Sequence, residues 1–210
     1  MVEQSGLYYP NRFARWIFLA MRDVMGMNGL NALLSLATLE SYMEDFPQDD
    51  LARQFDFAYI AAMSEALENM YGTRGGRGMA LRIGRASFSQ GMKAFGAFAG
   101  MTTPSFKALP IDQQVQLGTQ VLVNVFNNFS DQDTSLEDKG DFFTIEIANS
   151  PFIWGRTTDR PACHALVGII QEAMRWSSVG HEFHIQEIAC RATGSEQCVF
   201  KVNKHPIGQG

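Results

Sequence analysis

The sequence predicts a single α+β domain, in which a helical part precedes a smaller part built on an antiparallel sheet. Through about residues 1–130 the apolar residues recur every three or four positions, which is the spacing of one buried helix face. Through about residues 131–206 they alternate with polar residues, which is the pattern of half-buried strands. No repeat, low-complexity segment or linker divides residues 1–210, so we expect one domain.

Five helices are predicted in the helical part, with glycine or proline near most of their ends. The first follows Pro10 and ends at Gly26 and Gly29. The remaining four are expected over about residues 30–43, 57–71, 88–99 and 111–128. Between the third and fourth helices, the segment GTRGGRG (residues 72–78) predicts a tight connection. The residues MALRIG that follow it predict a short strand.

Two hairpins and one helix are predicted in the last third of the chain. TSLED and DFFTIEIANS are expected to pair around a turn that contains Gly140. A helix is expected over about residues 161–176, where apolar residues recur at helical spacing. HEFHIQEIAC and CVFKVN are expected to form the second hairpin, around a turn at Thr193 and Gly194. This order predicts an antiparallel sheet with helices packed on it.

Composition and charge exclude several classes of protein. With 46% hydrophobic and 19% charged residues, the chain has the composition of a folded globular domain. The formal net charge of −5 argues against binding to nucleic acid or to an anionic membrane surface. The first residues do not have the pattern of a signal peptide, and no apolar run is long enough to span a membrane. We therefore expect a cytoplasmic protein with reduced thiols.

The three cysteines of the chain and one glutamate form a candidate metal site. Cys163 lies at the start of the last predicted helix, and Cys190 and Cys198 flank the turn of the second hairpin. Glu187 lies in an apolar row of a strand, where a carboxylate is costly unless it is paired or bound to metal. Because an offset of three residues places Glu187 and Cys190 on opposite strand faces, the strand must bend, bulge or end near Cys190. From spacing alone, a closed tetrahedral zinc site, buried free cysteines and a disulfide between Cys190 and Cys198 all stay open.

The arrangement Cys163…Glu187-x-x-Cys190-x7-Cys198-x-Phe200 resembles the 4-vinyl-reductase domain family. The segments GTRGGRGMALRIGRASF, NNFSDQ and WGRTTDRPACHALVG are similar to stand-alone bacterial members of that family. The family includes a bacteriochlorophyll-biosynthesis protein and the sensor domains of phenol- and xylene-responsive activators, and its fold is distantly similar to that of TRAPP-complex core subunits. The resemblance covers nearly the whole chain. It implies a TRAPP-subunit-like fold with a zinc-binding 4-vinyl-reductase core over about residues 131–206.

The same resemblance implies a ligand set, a binding cavity and an assembly. In the aromatic-sensing relatives the corresponding residues bind a structural zinc, which implies zinc at Cys163, Glu187, Cys190 and Cys198. Relatives hold small aromatic molecules, or are proposed to hold tetrapyrroles, in an apolar cavity beside this site. The residues that could line such a cavity here are Phe142, Phe143, Trp154, Trp176, Phe183 and Ile185. Because the relatives' domains pair as homodimers, the stretch 7–10 is a candidate for part of a symmetric contact.

No catalytic motif accompanies the candidate metal site. Four protein ligands leave no open position on a zinc ion, so such a metal would hold structure rather than activate water. The sequence has no dinucleotide-binding G-x-G-x-x-G motif between a strand and a helix, and no Ser, His and Asp arrangement stands out. We therefore expect a domain that binds a hydrophobic or aromatic small molecule, as a sensor or a carrier. The alternatives are a 4-vinyl reductase or accessory protein of (bacterio)chlorophyll biosynthesis, and an assembly protein.

Overall fold

Five helices and six strands make up the computed structural model, which describes residues 2–94 and 100–208. The helices are α1 (Asn11–Leu36), α2 (Phe57–Ala94), α3 (Pro104–Lys107), α4 (Ile111–Phe129) and α5 (His164–Ser177). The strands are β1 (Tyr8–Pro10), β2 (Arg53–Asp56), β3 (Thr134–Asp138), β4 (Phe142–Ile147), β5 (Phe183–Ala189) and β6 (Cys198–Pro206). This content confirms the predicted α+β class. Within the described ranges, none of the helices has the length and hydrophobicity that a membrane crossing requires.

The first long helix contains a kink at a glycine. The kink lies at Gly26, whose φ of 75° and ψ of 167° are outside the helical region. The break predicted there is therefore present, but the chain resumes the helix at once. The predicted end near residue 43 is wrong, because α1 ends at Leu36. Thr38 follows with a positive φ of 56°, which a regular helix cannot contain.

The glycine-rich segment 72–78 is helical, so the tight connection and the short strand predicted for residues 72–84 are wrong. α2 bends only at Gly72, which has a φ of 67°, and continues to Ala94. After the kink the buried residues fall at 83, 84, 87, 88 and 91, which is helical spacing. Packing of this face against α1 and α5 outweighs the helix penalty of about 1 kcal/mol per glycine. The helix predicted over residues 88–99 falls partly on 95–99, which lie outside the described residues.

Helices α2 and α5 cross at two glycines, each of which faces the other helix. An ideal Cβ on Gly84 would lie 2.0 Å from the carbonyl oxygen of Ala165. An ideal Cβ on Gly168 would lie 2.2 Å from the carbonyl oxygen of Leu81. Because neither position has room for a side chain, the two backbones pack directly on each other. This contact fixes the position of α5, and with it the residue before the helix, Cys163.

A four-stranded antiparallel sheet, in the order β3-β4-β6-β5, forms the other side of the core. Both predicted hairpins are confirmed as β3–β4 and β5–β6, and the helix predicted between them is confirmed as α5. Burial alternates along β5, so that Phe183, Ile185 and Glu187 are buried and the residues between them are exposed. α5 packs against β5, and α4 packs against β3 and β6. The inner face of the sheet is thereby covered by helices.

A short two-stranded sheet, which the sequence did not predict, joins the starts of α1 and α2. β1 and β2 pair antiparallel directly before the two helices. The first backbone N–H of α1, at Asn11, donates to the carbonyl of Ala52 at 2.9 Å. The first backbone N–H of α2, at Phe57, donates to the carbonyl of Leu7 at 2.9 Å. Each helix start is therefore bound by the chain that leads to the other helix.

The stretch 7–10, for which the resemblance implies a dimer contact, lies largely within this domain. Tyr9 is only 1% exposed, and its hydroxyl donates to the side-chain oxygen of Gln132. Pro10 is also buried, while Leu7 and Tyr8 are half-buried. A homodimer that uses the exposed parts of this stretch stays a prediction.

Candidate functional site

The four residues expected to bind metal lie together at the second hairpin, and we call them the Cys–Glu cluster. Cys163 directly precedes α5, Cys190 follows the end of β5, and Cys198 begins β6. Glu187 reaches the same place from β5. One ligand atom from each residue lies within 4.8 Å of the others, and all four residues are buried. The structure therefore brings together three elements that are separated in sequence.

An irregularity in β5 explains how Glu187 and Cys190 reach the same place. The pairing of β5 with β6 shifts register between Glu187 and Ala189, and the strand ends at Ala189. Such a shift or end is needed, because residues three apart on a regular strand face opposite sides. The turn that follows is closed by Gly194, whose φ of 94° suits glycine, and it returns the chain to Cys198.

Hydrogen bonds within the Cys–Glu cluster leave one carboxylate oxygen unused. Oε2 of Glu187 accepts from the backbone N–H of Cys163 at 2.9 Å. Sγ of Cys198 accepts from the backbone N–H of Arg191 at 3.4 Å and lies 3.6 Å from Sγ of Cys163. Oε1 of Glu187 is buried and has no hydrogen-bond partner among the described residues. An unpaired buried carboxylate oxygen is costly, and a bound cation would remove that cost.

The four groups of the cluster share one negative charge when no cation balances them. Burial raises the pKa of Cys163 well above its usual range. Burial, and then the nearby Cys190, raises the pKa of Glu187 to about 8. The pKa of Cys190 is strongly lowered, because the thiols of Cys163 and Cys198 donate hydrogen bonds to it. The pKa of Cys198 is raised to about 12: the hydrogen bond with Cys163 lowers it, but its hydrogen bond to Cys190 and its burial together outweigh this. A divalent cation would replace the protons held by the other three groups.

Three sulfur atoms and one carboxylate oxygen form a donor set typical of a structural zinc site. Hard cations such as Mg²⁺ and Ca²⁺ prefer sites built from oxygen alone. All three cysteines are free, so the alternative of a disulfide between Cys190 and Cys198 is not formed. The arrangement suits a metal that joins the start of α5 to the second hairpin. With four protein ligands, it leaves no position for a substrate.

A second feature is an apolar cavity between α1, α2, α4 and α5. Its walls include Phe13, Phe88 and Ile169. Two hydroxyl groups reach the lining, and both are already used: Tyr9 donates to the side chain of Gln132, and Ser87 donates to a backbone carbonyl of its own helix. About 70 Å³ of the cavity is open to the centre of a water molecule. That is space for about five to seven waters, because each needs about 10–15 Å³ on this measure.

The six residues expected to bind a ligand lie elsewhere. None of Phe142, Phe143, Trp154, Trp176, Phe183 and Ile185 lines this cavity. Phe143 and Phe183 are core residues of the sheet, while Phe142 and Trp176 are half-buried. Trp154 and Ile185 border two other, more polar depressions. Helical periodicity marks most of the true lining as core, but no sequence signal shows that the packed faces leave a gap.

Comparison with known proteins relates the second half of the chain to one domain family. The family model of the 4-vinyl-reductase domain matches residues 143–204. The matched segment contains α5, most of the sheet and the whole Cys–Glu cluster. The resemblance of this segment to the family is therefore confirmed. No curated protein matches the chain.

Solved structures relate the whole fold to H-NOX domains. A double mutant of Tt H-NOX aligns over 96% of this chain and 98% of its own, with a TM-score of 0.57 and 14% identity. The Fe(II) unliganded H-NOX protein from K. algicida aligns over 93% and 96%, with a TM-score of 0.57 and 14% identity. An H-NOX protein from S. oneidensis in the Fe(II)NO ligation state aligns over 90% and 97%, with a TM-score of 0.52 and 12% identity. At such identities the likeness shows a shared fold alone. The sequence analysis did not identify it, and the distant similarity to TRAPP subunits stays a prediction.

Proposed function

We propose that the protein binds an apolar small molecule, as a sensor or a carrier, in the cavity between α1, α2, α4 and α5. The observation that carries this proposal is the lining of the cavity. Because the hydroxyls of Tyr9 and Ser87 are both engaged elsewhere, a ligand would be held by apolar contacts alone. Small-molecule sites are commonly concave and mostly apolar. The match to the 4-vinyl-reductase domain and the H-NOX-like fold also support a ligand-binding domain.

The size of the cavity favours a ligand of about one aromatic ring. Space for about five to seven waters approaches the cavity volume of about 150 Å³ at which an engineered apolar cavity binds benzene. Burial of one ring removes about 150–250 Å² from water, which at about 25 cal/mol per Å² contributes about 4–6 kcal/mol. The loss of translational and rotational freedom opposes this gain. We therefore expect dissociation constants no tighter than micromolar.

A tetrapyrrole is a poorer candidate for this cavity. Among the solved structures of similar fold, some are described with Fe(II) and one with heme. A porphyrin has several times the area of one ring, and no histidine, cysteine or methionine lines this cavity within the described ranges. Its one tyrosine, Tyr9, donates its hydroxyl proton to Gln132 rather than facing a ligand atom. The alternative of a vinyl reductase needs a tetrapyrrole substrate, so the same argument disfavours it.

We also propose a structural zinc at the Cys–Glu cluster. The closeness of the four ligand atoms, the unused Oε1 of Glu187 and the sulfur-rich donor set support it. Such a zinc would tie the start of α5 to the β5–β6 hairpin. Ile169, on the same helix, lines the apolar cavity about 9 Å along the axis from Cys163. The metal would therefore also help to fix one wall of the cavity.

Filling the cavity tests the proposed binding site. Val125 and Val121 are both half-buried and lie one turn apart on α4, but only Val125 lines the cavity. Val125→Phe places a ring where the ligand would bind, and Val121→Phe makes the same change outside it. We expect toluene to bind to the wild type and to Val121→Phe in isothermal titration calorimetry. We expect Val125→Phe to bind it at least about tenfold more weakly.

Two outcomes would contradict this proposal. One is equal toluene affinity in the two phenylalanine variants, which would place the ligand outside the cavity. The other is no toluene binding by the wild type up to the solubility limit of toluene.

A further inference from the structure

A wide cleft with basic side chains lies beside the Cys–Glu cluster, and nothing in the proposed function uses it. Its walls come from residues 73–81 of α2, from residues 160–167 and from residues 184–187 of β5. We call it the basic cleft. About 560 Å³ of it is open to the centre of a water molecule, far more than in the apolar cavity. The basic cleft can therefore hold a much larger ligand.

Five basic side chains line the basic cleft. They are Arg74, Arg77, Arg160, His164 and His184. The three arginines are exposed, and none of their guanidinium groups forms an ion pair or a hydrogen bond with any described residue. By contrast, Arg85, further along α2, pairs with both Glu172 and Glu182. Because the chain carries a net charge of −5, a shortage of acidic residues does not explain the unpaired arginines.

The acidic groups near the basic cleft do not neutralise it. Glu187 is the single acidic residue of its lining, and that carboxylate accepts a hydrogen bond from Cys163 within the Cys–Glu cluster. Glu68 borders the adjoining depression but pairs with Arg156 at 2.8 Å. Asp159, in the same depression, forms no ion pair among the described residues. The three arginines therefore leave positive charge in a concave site, where low-dielectric walls strengthen the potential.

We propose that the basic cleft binds an organic anion, whose phosphate or carboxylate group is held by Arg74, Arg77 and Arg160. Arg74 and Arg77 lie one helical turn apart on α2, and Arg160 comes from a separate segment of the wall. Guanidinium groups match the planar, two-oxygen geometry of such anions. The lining also contains apolar residues that would contact the rest of the ligand. They are Leu81, Pro161, Val167 and Ile185.

This inference goes beyond the proposed function, because it assigns a second site on a different wall of α2 and α5. Its ligand class also differs, since the apolar cavity has no free polar group for an anion. The two sites can therefore be tested separately.

Phenyl phosphate and benzoate are suitable probes, because each joins one anionic group to one apolar ring. We would titrate each into the protein as purified, in a low-salt buffer, by isothermal titration calorimetry. Arg77→Gln and Arg160→Gln remove one arginine each from the basic cleft. Arg82→Gln is the matched control, because Arg82 is exposed, unpaired and on the same helix but outside the cleft.

We expect the wild type to bind at least one probe, and the stronger of the two identifies the anionic group. Arg77→Gln and Arg160→Gln should each weaken that binding by at least about tenfold, and Arg82→Gln should leave it unchanged. Toluene affinity should be the same in all of these proteins. The proposal is overturned if neither probe binds. It is also overturned if Arg77→Gln and Arg82→Gln bind the probe alike, since the arginines would then only balance the charge of the Cys–Glu cluster.

Discussion

Replacement of Gly84 by alanine tests whether the close crossing of α2 and α5 stabilises the fold. The added methyl group would lie 2.0 Å from the carbonyl oxygen of Ala165, whereas Cβ atoms essentially never come within 3.0 Å of other atoms. The clashing atom belongs to the backbone of α5, so it cannot turn aside as a flexible side chain would. The two helices must therefore separate by about 1 Å.

The magnitude follows from two opposing effects. Overpacking of a core contact costs up to about 3 kcal/mol, and replacing a glycine inside a helix returns about 1 kcal/mol. We therefore expect Gly84→Ala to lower the free energy of unfolding by about 2 kcal/mol, or the melting temperature by about 4–8 °C. Gly78→Ala is the matched control on the same helix, because nothing lies within 4 Å of its ideal Cβ. It should raise the free energy of unfolding by about 1 kcal/mol.

Urea and thermal unfolding, followed by circular dichroism, would measure both variants against the wild type. Zinc content should be determined in parallel, because Cys163 directly precedes α5 and moves with it. If Gly84→Ala proves as stable as Gly78→Ala, the two backbones do not pack directly on each other, and the reasoning is refuted.

Two further predictions concern the Cys–Glu cluster. Cys198→Ser should abolish zinc binding and lower the melting temperature, because metal binding is coupled to folding; elemental analysis and thermal unfolding check this, and a wild type purified without chelator that contains no transition metal would contradict it. The pKa of Glu187 is raised to about 8, and those of Cys163 and Cys198 are raised too, so at about pH 6–7 these three groups are protonated and compete with the metal. Zinc affinity should therefore rise with pH, by up to about a thousandfold per pH unit for about three released protons, in competition with a metal-binding dye. An affinity that does not change with pH would show that the ligands are already ionised.

The sheet and the Cys–Glu cluster could be predicted because their signals are local. A strand with one buried face must alternate, and β5 does so through Phe183, Ile185 and Glu187. Residue type pointed to a metal, since thiols and a carboxylate share few other roles in one buried hairpin. The closeness of the four ligands also depends on the register shift between Glu187 and Ala189, which has no mark of its own in the sequence.

The errors lie where contacts between distant segments decide the structure. Residues 72–84 were predicted as a connection and a strand because glycine disfavours helices, but that preference is weak and packing overrides it. Gly76 is needed within the helix, since an ideal Cβ there would lie 2.9 Å from Cα of Glu68. The apolar cavity could not be predicted, because it is a gap between side chains as far apart in sequence as Phe13 and Phe126.

The hydrogen bonds at the starts of α1 and α2 have a consequence for how the helical part folds. α1 begins without a capping side chain, and the carbonyl that accepts its first N–H, at Ala52, comes from the segment that leads into α2. The first N–H of α2 is in turn accepted by Leu7, ahead of α1. Neither first turn is therefore complete on its own, and the two must form together. Folding here begins with the closure of a long loop rather than with a local helix, and a fragment that stops before Ala52 should lose the first turn of α1.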